Sequence, residues 1–182
     1  EKAELYRNEI RFLKQKYRGK LDVFLGLEYD FYSDVDTEGY DYLIGSVHYV
    51  VNEKGYFTVD ESAEGVKNGI EKNFNGNGKK LVQEYFALER EMLRNCDFTI
   101  LGHPDLVRVR NGKLKFFNEN DVWYRNELKE LVKEIKKNDV IVEINTGALG
   151  RKLMDDTYPS TYLLELIKEA GGRITINSDA HT

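Results

Sequence analysis

The chain has 182 residues, 41% hydrophobic and 32% charged, with a formal net charge of -5. That length suits a single domain with a sizeable core, and the acidic balance argues against a basic nucleic-acid-binding surface. One cysteine, Cys96, excludes an intrachain disulfide and fits a cytoplasmic setting; no signal peptide is visible, and no apolar run approaches the roughly 20 residues of a membrane span.

In chain order, Ala3, Leu5, Tyr6, Ile10, Leu13 and Tyr17 recur at helical spacing, and Gly19 ends that helix. The short apolar run Leu21 to Leu27 predicts a buried strand and Tyr40 to Val47 a second, with the acidic stretch Ser33 to Glu38 as a surface loop between them. Asp60 to Phe74 is read as helical despite Gly65 and Gly69, and Asn75 to Gly78 as a loop. Leu81 to Leu93 carries one apolar helical face, Phe98 to Leu101 is a third strand, and Asn111-Gly112 signals a turn. Val122 to Ile135 is a patterned helix and Val140 to Ile144 a fourth strand. Pro159 is placed in the first turn of a helix running to Ala170, before Gly171-Gly172 and a fifth strand from Arg173 to Asn177. The later strand–helix alternation implies parallel strands with helical crossovers.

The three histidines, His48, His103 and His181, each come at or just beyond the C-terminal end of a predicted strand. Glu28 and Asp179 share that location. A lone histidine is more often a hydrogen-bonded structural residue than a ligand. Three in one topological position, joined by two carboxylates, point instead to a metal centre, because barrels of parallel strands build their sites on that face. Mixed nitrogen and oxygen donors suit zinc, iron or manganese. On an extended segment, Asp179 and His181 at i and i+2 point to one side. Arg151 follows a glycine-bearing loop from a strand end and suits a phosphate; Arg108 is a second candidate. Asp105 is either an orienting acceptor for His103 or a turn residue after Pro104. On the fourth strand, one of Glu143 and Asn145 is expected to point inward. Tyr29, Tyr32 and Tyr49 flank predicted ligands as potential pocket residues, whereas Trp123 reads as packing.

Taken in order, Gly26-Leu27-Glu28, Tyr40 to His48, Gly102-His103-Pro104-Asp105-Leu106, Glu143 to Thr146 with Arg151-Lys152, and Ser178-Asp179-Ala180-His181 resemble the motifs of the polymerase-and-histidinol-phosphatase (PHP) superfamily. The nearer match is its histidinol-phosphatase branch. The resemblance implies an α/β fold, a distorted TIM-like barrel of seven strand–helix units holding up to three divalent metal ions. It implies that Glu28 bridges two metals, that His48 and His103 complete one site, and that Asp179 and His181 serve the others. The family's early His-x-His pair and a further histidine before the Glu motif have no counterpart here. The opening at Glu1 inside a helix pattern and the stop at Thr182, just past a ligand cluster, agree with a partial domain over 1–182 that lacks its first strands. The implied reaction is metal-dependent hydrolysis of a small phosphate monoester, L-histidinol phosphate to L-histidinol in histidine biosynthesis, with Arg151 and Arg108 on the phosphate. Rival expectations are another phosphoester (a phosphotyrosyl protein or a nucleic-acid end), a polymerase-associated domain, or a non-catalytic binding module. Neither a membrane nor a nucleic-acid partner is expected, and the sequence leaves oligomeric state open.

Overall fold

The computed structural model describes residues 2–180, so His181 lies outside the described residues. Its centre is a five-stranded, wholly parallel sheet made of β1 (Gly26–Asp30), β2 (Tyr42–Ser46), β5 (Ile100–Leu101), β6 (Ile141–Asn145) and β7 (Arg173–Asn177). Strand order follows chain order, as repeated strand–helix crossovers require. This α/β arrangement is consistent with a distorted PHP-type barrel. β1 pairs only with β2 and β7 only with β6 among the described residues.

The register places Glu28 beside Ile44 and Asp30 beside Ser46 at one edge of the sheet, and Asn145 beside Asn177 at the other edge, all toward the C-terminal ends of the strands. Side chains alternate across a strand, so Glu28 and Asp30 share one face, as do Glu143 and Asn145. The opposite face packs on helices. α3 (Gly78–Asn95) buries Leu81, Val82, Tyr85, Phe86, Met92 and Leu93, and Asn77 caps it by accepting from the Lys80 amide at 3.0 Å. α5 (Val122–Asn138) buries Leu128, Leu131, Val132 and Ile135. The short α6 (Gly147–Gly150) follows β6, and α7 (Thr161–Glu169) adds Leu163 and Ile167. These residues belong to one buried cluster that also takes in Val142 and Leu101 of the sheet.

Three sequence expectations change, and one segment that the sequence reading leaves open, the one after His48, takes a defined structure. The first strand begins at Gly26, not Leu21: Leu21 and Phe24 are 63% and 62% exposed, and Leu25 is held through Asp41, whose amide donates to Leu25 O at 2.7 Å. Apolar character marked the run, but strand pairing starts only where β2 offers a partner. The segment after His48 folds as a hairpin, β3 (Tyr49–Asn52) and β4 (Gly55–Thr58), closed at Gly55 with φ +110°, where glycine has no steric cost. Val50 and Phe57 point into the core while Tyr49, Val51 and Tyr56 face outward. Pro159 does not enter α7. It follows a cis peptide bond from Tyr158 and precedes the cap, Ser160. Asn111-Gly112 opens a short helix, α4 (Asn111–Leu114), and not a bare turn.

The remaining helices frame these parts. α2 (Ala63–Phe74) starts at Ser62, whose hydroxyl accepts from the Gly65 amide at 3.0 Å. α1 (Lys2–Lys16) buries no residue and meets the sheet end through polar contacts: Tyr6 Oη donates to Gly26 O at 2.9 Å, and Arg7 lies over the Tyr40 ring. No described helix is long and apolar enough to cross a membrane.

Candidate metal centre

Glu28 of β1, His48 just after β2 and His103 just after β5 converge at the C-terminal end of three adjacent parallel strands. One ligand atom from each lies within 4.8 Å of the others. His103 Nε2 is 3.1 Å from Glu28 Oε1, His48 Nε2 is 3.8 Å from the same oxygen, and the imidazole rings stand edge to face at 4.9 Å. These side chains open into a cavity of about 610 Å³, lined also by Asp30, Ser33, Tyr49, Asp60, Arg151, Tyr158 and Asp179.

Backbone structure sets each ligand. Gly102 precedes His103 because a Cβ there would come within 2.4 Å of Ser46 Oγ and 2.9 Å of Ile44 Cγ2. His103 then takes φ +23°, a strained value for a residue with a side chain, and its amide donates to Glu143 Oε2 at 2.9 Å. Glu143, buried, also accepts from Asn145 Nδ2 at 3.1 Å and Asn177 Nδ2 at 2.7 Å, which ties β5, β6 and β7 together beneath the site. Both inward-facing β6 residues therefore work in one network, and Asn145 Oδ1 extends it by accepting from the Gly147 amide at 2.8 Å.

Ring orientation has its own device. Asp30 Oδ2 accepts from the His48 amide at 2.7 Å and faces His48 Nδ1 at 3.4 Å, which leaves Nε2 turned to Glu28. This is the carboxylate–histidine pairing that fixes the tautomer of a ligand. Burial works against the charge of Asp30, but the His48 ring and amide and the Tyr32 amide hold it below its usual range. For Glu28 the hydrogen bond with His103 outweighs burial, and its pKa falls to about 2. Burial lowers that of His103, yet Glu28 lifts it to about 9, as an adjacent carboxylate does for an imidazole. Ser46 Oγ donates to Glu28 Oε1 at 2.8 Å.

The donor set fits a divalent metal. It offers two imidazole nitrogens and a carboxylate oxygen on one cluster, and the acceptor for His48 Nδ1 is already present. His103 Nδ1 is buried with no hydrogen-bond partner among the described residues.

The other sequence candidates divide. Asp179 lines the cavity but lies outside the three-residue cluster. It takes φ +48°, so the extended geometry expected between 179 and 181 does not hold at its first residue. Arg151 also lines the cavity, and its Nη1 donates to Asp179 O at 2.8 Å. Gly147 lets these groups meet, since a Cβ on it would stand 3.0 Å from Arg151 Nη1, Asn145 Oδ1 and Asp179 Cβ. Arg108 is not at the cavity. Its buried guanidinium reaches Glu119 at 2.8 Å, Asp156 at 2.9 Å and Asp105 at 3.3 Å, so its charge is committed to structure. Asp105 serves the same network, accepting from the Ser160 amide at 2.8 Å, and makes no hydrogen bond to His103. Of the three tyrosines only Tyr49 lines the cavity. The sequence alone does not mark Asp30, Ser46 or Asp60 as site residues. Asp30 had a signal, two positions after Glu28, but the predicted strand stopped at Leu27.

Known proteins resemble this chain in sequence and in fold. The PHP domain family model matches residues 6–147. A probable histidinol-phosphatase of Schizosaccharomyces pombe is 30% identical over 97% of this chain and 59% of its own length. The histidinol-phosphatase of Bacillus subtilis is 25% identical, over 98% of this chain and 70% of its own. The chain thus spans about six-tenths to seven-tenths of the length of these relatives. Among solved structures, a Listeria monocytogenes protein assigned as a histidinol phosphatase superposes with a TM-score of 0.80 at 19% identity, over 98% of this chain and 71% of that one. A Lactococcus lactis histidinol phosphate phosphatase, solved with zinc, L-histidinol and phosphate, gives 0.59 at 20% identity, over 98% and 66%. At those identities the structures speak to fold alone, but the family model covers most of the sequence: the chain belongs to the PHP domain family.

Proposed function

We propose that this chain is the metal-binding body of a phosphatase acting on a small phosphate monoester, with L-histidinol phosphate as the substrate. The observation that carries the reading is one cavity holding Glu28, His48 and His103 together with Arg151 and Asp179. Curated relatives named for histidinol-phosphatase activity support the choice of substrate.

Divalent ions, up to three in the whole enzyme and of zinc, iron or manganese type, would supply Lewis acidity that acidifies water and offsets charge on phosphoryl oxygens. Glu28, His48 and His103 would hold one ion, with Asp30 keeping the His48 ring in register. Asp179 and His181 would hold others. Arg151 lines the cavity and would take phosphate oxygens through charge-assisted hydrogen bonds. Its partner Asp179 lines the same cavity and holds the guanidinium at that rim through its carbonyl and carboxylate oxygens. The buried Glu143 network holds the His103 backbone, so the ligand does not reorganise as charge develops.

The test uses the full-length protein loaded with metal. It should release phosphate from L-histidinol phosphate, and Arg151→Ala should lower kcat/KM by more than about tenfold with metal content unchanged. Metal-loaded protein that releases no phosphate from this ester would refute the reading.

A further inference from the structure

The hairpin side of the cavity has a distinct chemistry that the phosphatase reading does not use. β3 and β4 bring the chain back to the metal cluster, where the Val59 amide donates to His48 O at 2.9 Å. The next residue, Asp60, lines the cavity. Its turn is clamped from outside: Arg110 Nη2 donates to Asp60 O at 3.1 Å and Nε to Glu61 O at 2.6 Å. Arg110 directs these two donors to backbone carbonyls and not to the Asp60 carboxylate. No hydrogen bond or ion pair to that carboxylate occurs among the described residues. The other cavity carboxylates are engaged, Glu28 with His103, Asp30 with His48 and Asp179 with Arg151.

The cavity that Asp60 lines also has an aromatic wall. Tyr49 lines the cavity and meets Tyr56 edge to face at 6.3 Å, and Tyr56 meets Tyr32 in the same way at 6.5 Å. Tyr56 is 73% exposed, and all three rings stay accessible although the core lies directly under Val50 and Phe57. A carboxylate beside electron-rich ring faces attracts an organic cation and repels an anion. That is the wrong chemistry for a phosphate, and the phosphate-binding groups lie elsewhere on the same cavity.

We propose that Asp60 and Tyr49, extended by Tyr56 and Tyr32, form the leaving-group subsite, which selects phosphate esters of alcohols carrying a protonated amine or imidazole. The phosphoryl end faces the metal cluster and Arg151 while the cationic end of the same ester sits against Asp60 and the tyrosines. The subsite rests on the phosphatase reading for its role in turnover, but its cation preference is testable without turnover.

Two measurements on the metal-loaded full-length protein test it. The first compares kcat/KM for L-histidinol phosphate with that for glycerol 2-phosphate, whose leaving group carries no cation. In Asp60→Asn the ratio should fall at least tenfold, mainly through KM; an unchanged ratio overturns the proposal. The second is calorimetric binding of free L-histidinol. Binding that weakens at least tenfold in Asp60→Asn, and falls again in Tyr49→Leu, supports the subsite. Absent binding, or binding that Asp60→Asn leaves untouched, overturns it. If neither ester is hydrolysed the phosphatase reading fails, and the binding measurement alone then decides the subsite.

Discussion

At the scale of single residues, the site depends on which atoms are already spoken for. Asp30 takes the His48 amide at 2.7 Å and faces its Nδ1 at 3.4 Å, so the imidazole presents Nε2 to Glu28. Removing such a partner typically lowers metal affinity roughly 10–100-fold. Asp30→Asn should show that loss in a zinc titration against a competing chelator, with the fold intact by circular dichroism. Unchanged affinity would mean that backbone alone orients His48. Arg108 shows the converse, an arginine near a strand end whose charge is consumed by Glu119, Asp156 and Asp105.

At the scale of elements, that same arginine joins the segment after β5 to the chain entering α7. Arg108 sits in the 3-10 turn Leu106–Arg108, and its partners Asp156 and Thr157 O come from the segment before the cap of α7. Asp105, wholly buried, holds the Ser160 amide at the same junction. Removing one partner of a fully buried ion pair costs about 3–5 kcal/mol. Here only Asp105 would be left buried without compensation, because Glu119 and Asp156 reach solvent, so the cost falls toward or below the lower end of that range. Arg108→Met should therefore lower the thermal midpoint sharply, and Arg151→Ala, at a more exposed position, should lower it far less. Similar losses in the two variants would sink the structural assignment of Arg108. The hairpin is an element of the opposite kind: only Val50 and Phe57 anchor it to the core, and its outward residues are left for the cavity rim.

At the scale of the whole molecule, two properties follow. Glu89 of α3 is fully buried, with Tyr85 Oη donating to one oxygen at 2.7 Å and the other oxygen without a partner among the described residues. Burial raises its pKa from 4.5 to about 8, against the opposing effect of the Tyr85 hydrogen bond. A folded-state value above the unfolded one gives stability that is full below the unfolded pKa and lost as pH rises through the folded one. Within that window the loss is on the order of 1.4 kcal/mol per pH unit. Glu89→Gln should thus gain on the parent protein in thermal midpoint between pH 5 and pH 8.5. A difference independent of pH would mean that Glu89 is not a buried acid. The second property is metal content. Among the described residues one three-ligand group is brought together, Glu28, His48 and His103. The 182-residue chain should bind one divalent ion tightly by metal analysis after desalting. Glu28→Gln should abolish that binding, whereas three tightly bound ions per chain would contradict the ligand count.

How much was legible in the sequence depends on the range of the signal. Helical spacing in Leu81 to Leu93 and Val122 to Ile135, together with strand–helix alternation, placed α3, α5 and the parallel order of the last three strands, because those patterns are local and repeat. The positions of Glu28, His48 and His103 at strand ends were enough to bring them to one mouth, since parallel strands put all such ends on one side. Local pattern gave neither the start nor the end of β1, since both depend on where β2 offers pairing, and the apolar run stops at Leu27 while pairing continues to Asp30. For that reason Asp30 fell outside the predicted strand and its role was missed. The sheet and the loops above it decided the rest. Glu143 became a hub because Asn177, 34 residues later, lies on the adjacent strand. Arg108 was drawn from the cavity by Asp156, 48 residues away, and Asp60 entered it because the hairpin returns to His48. Residue type and spacing thus determined which ligands could meet. Which charges remained for a substrate was decided by the tertiary structure, because a buried charge takes the partner that folding puts within reach.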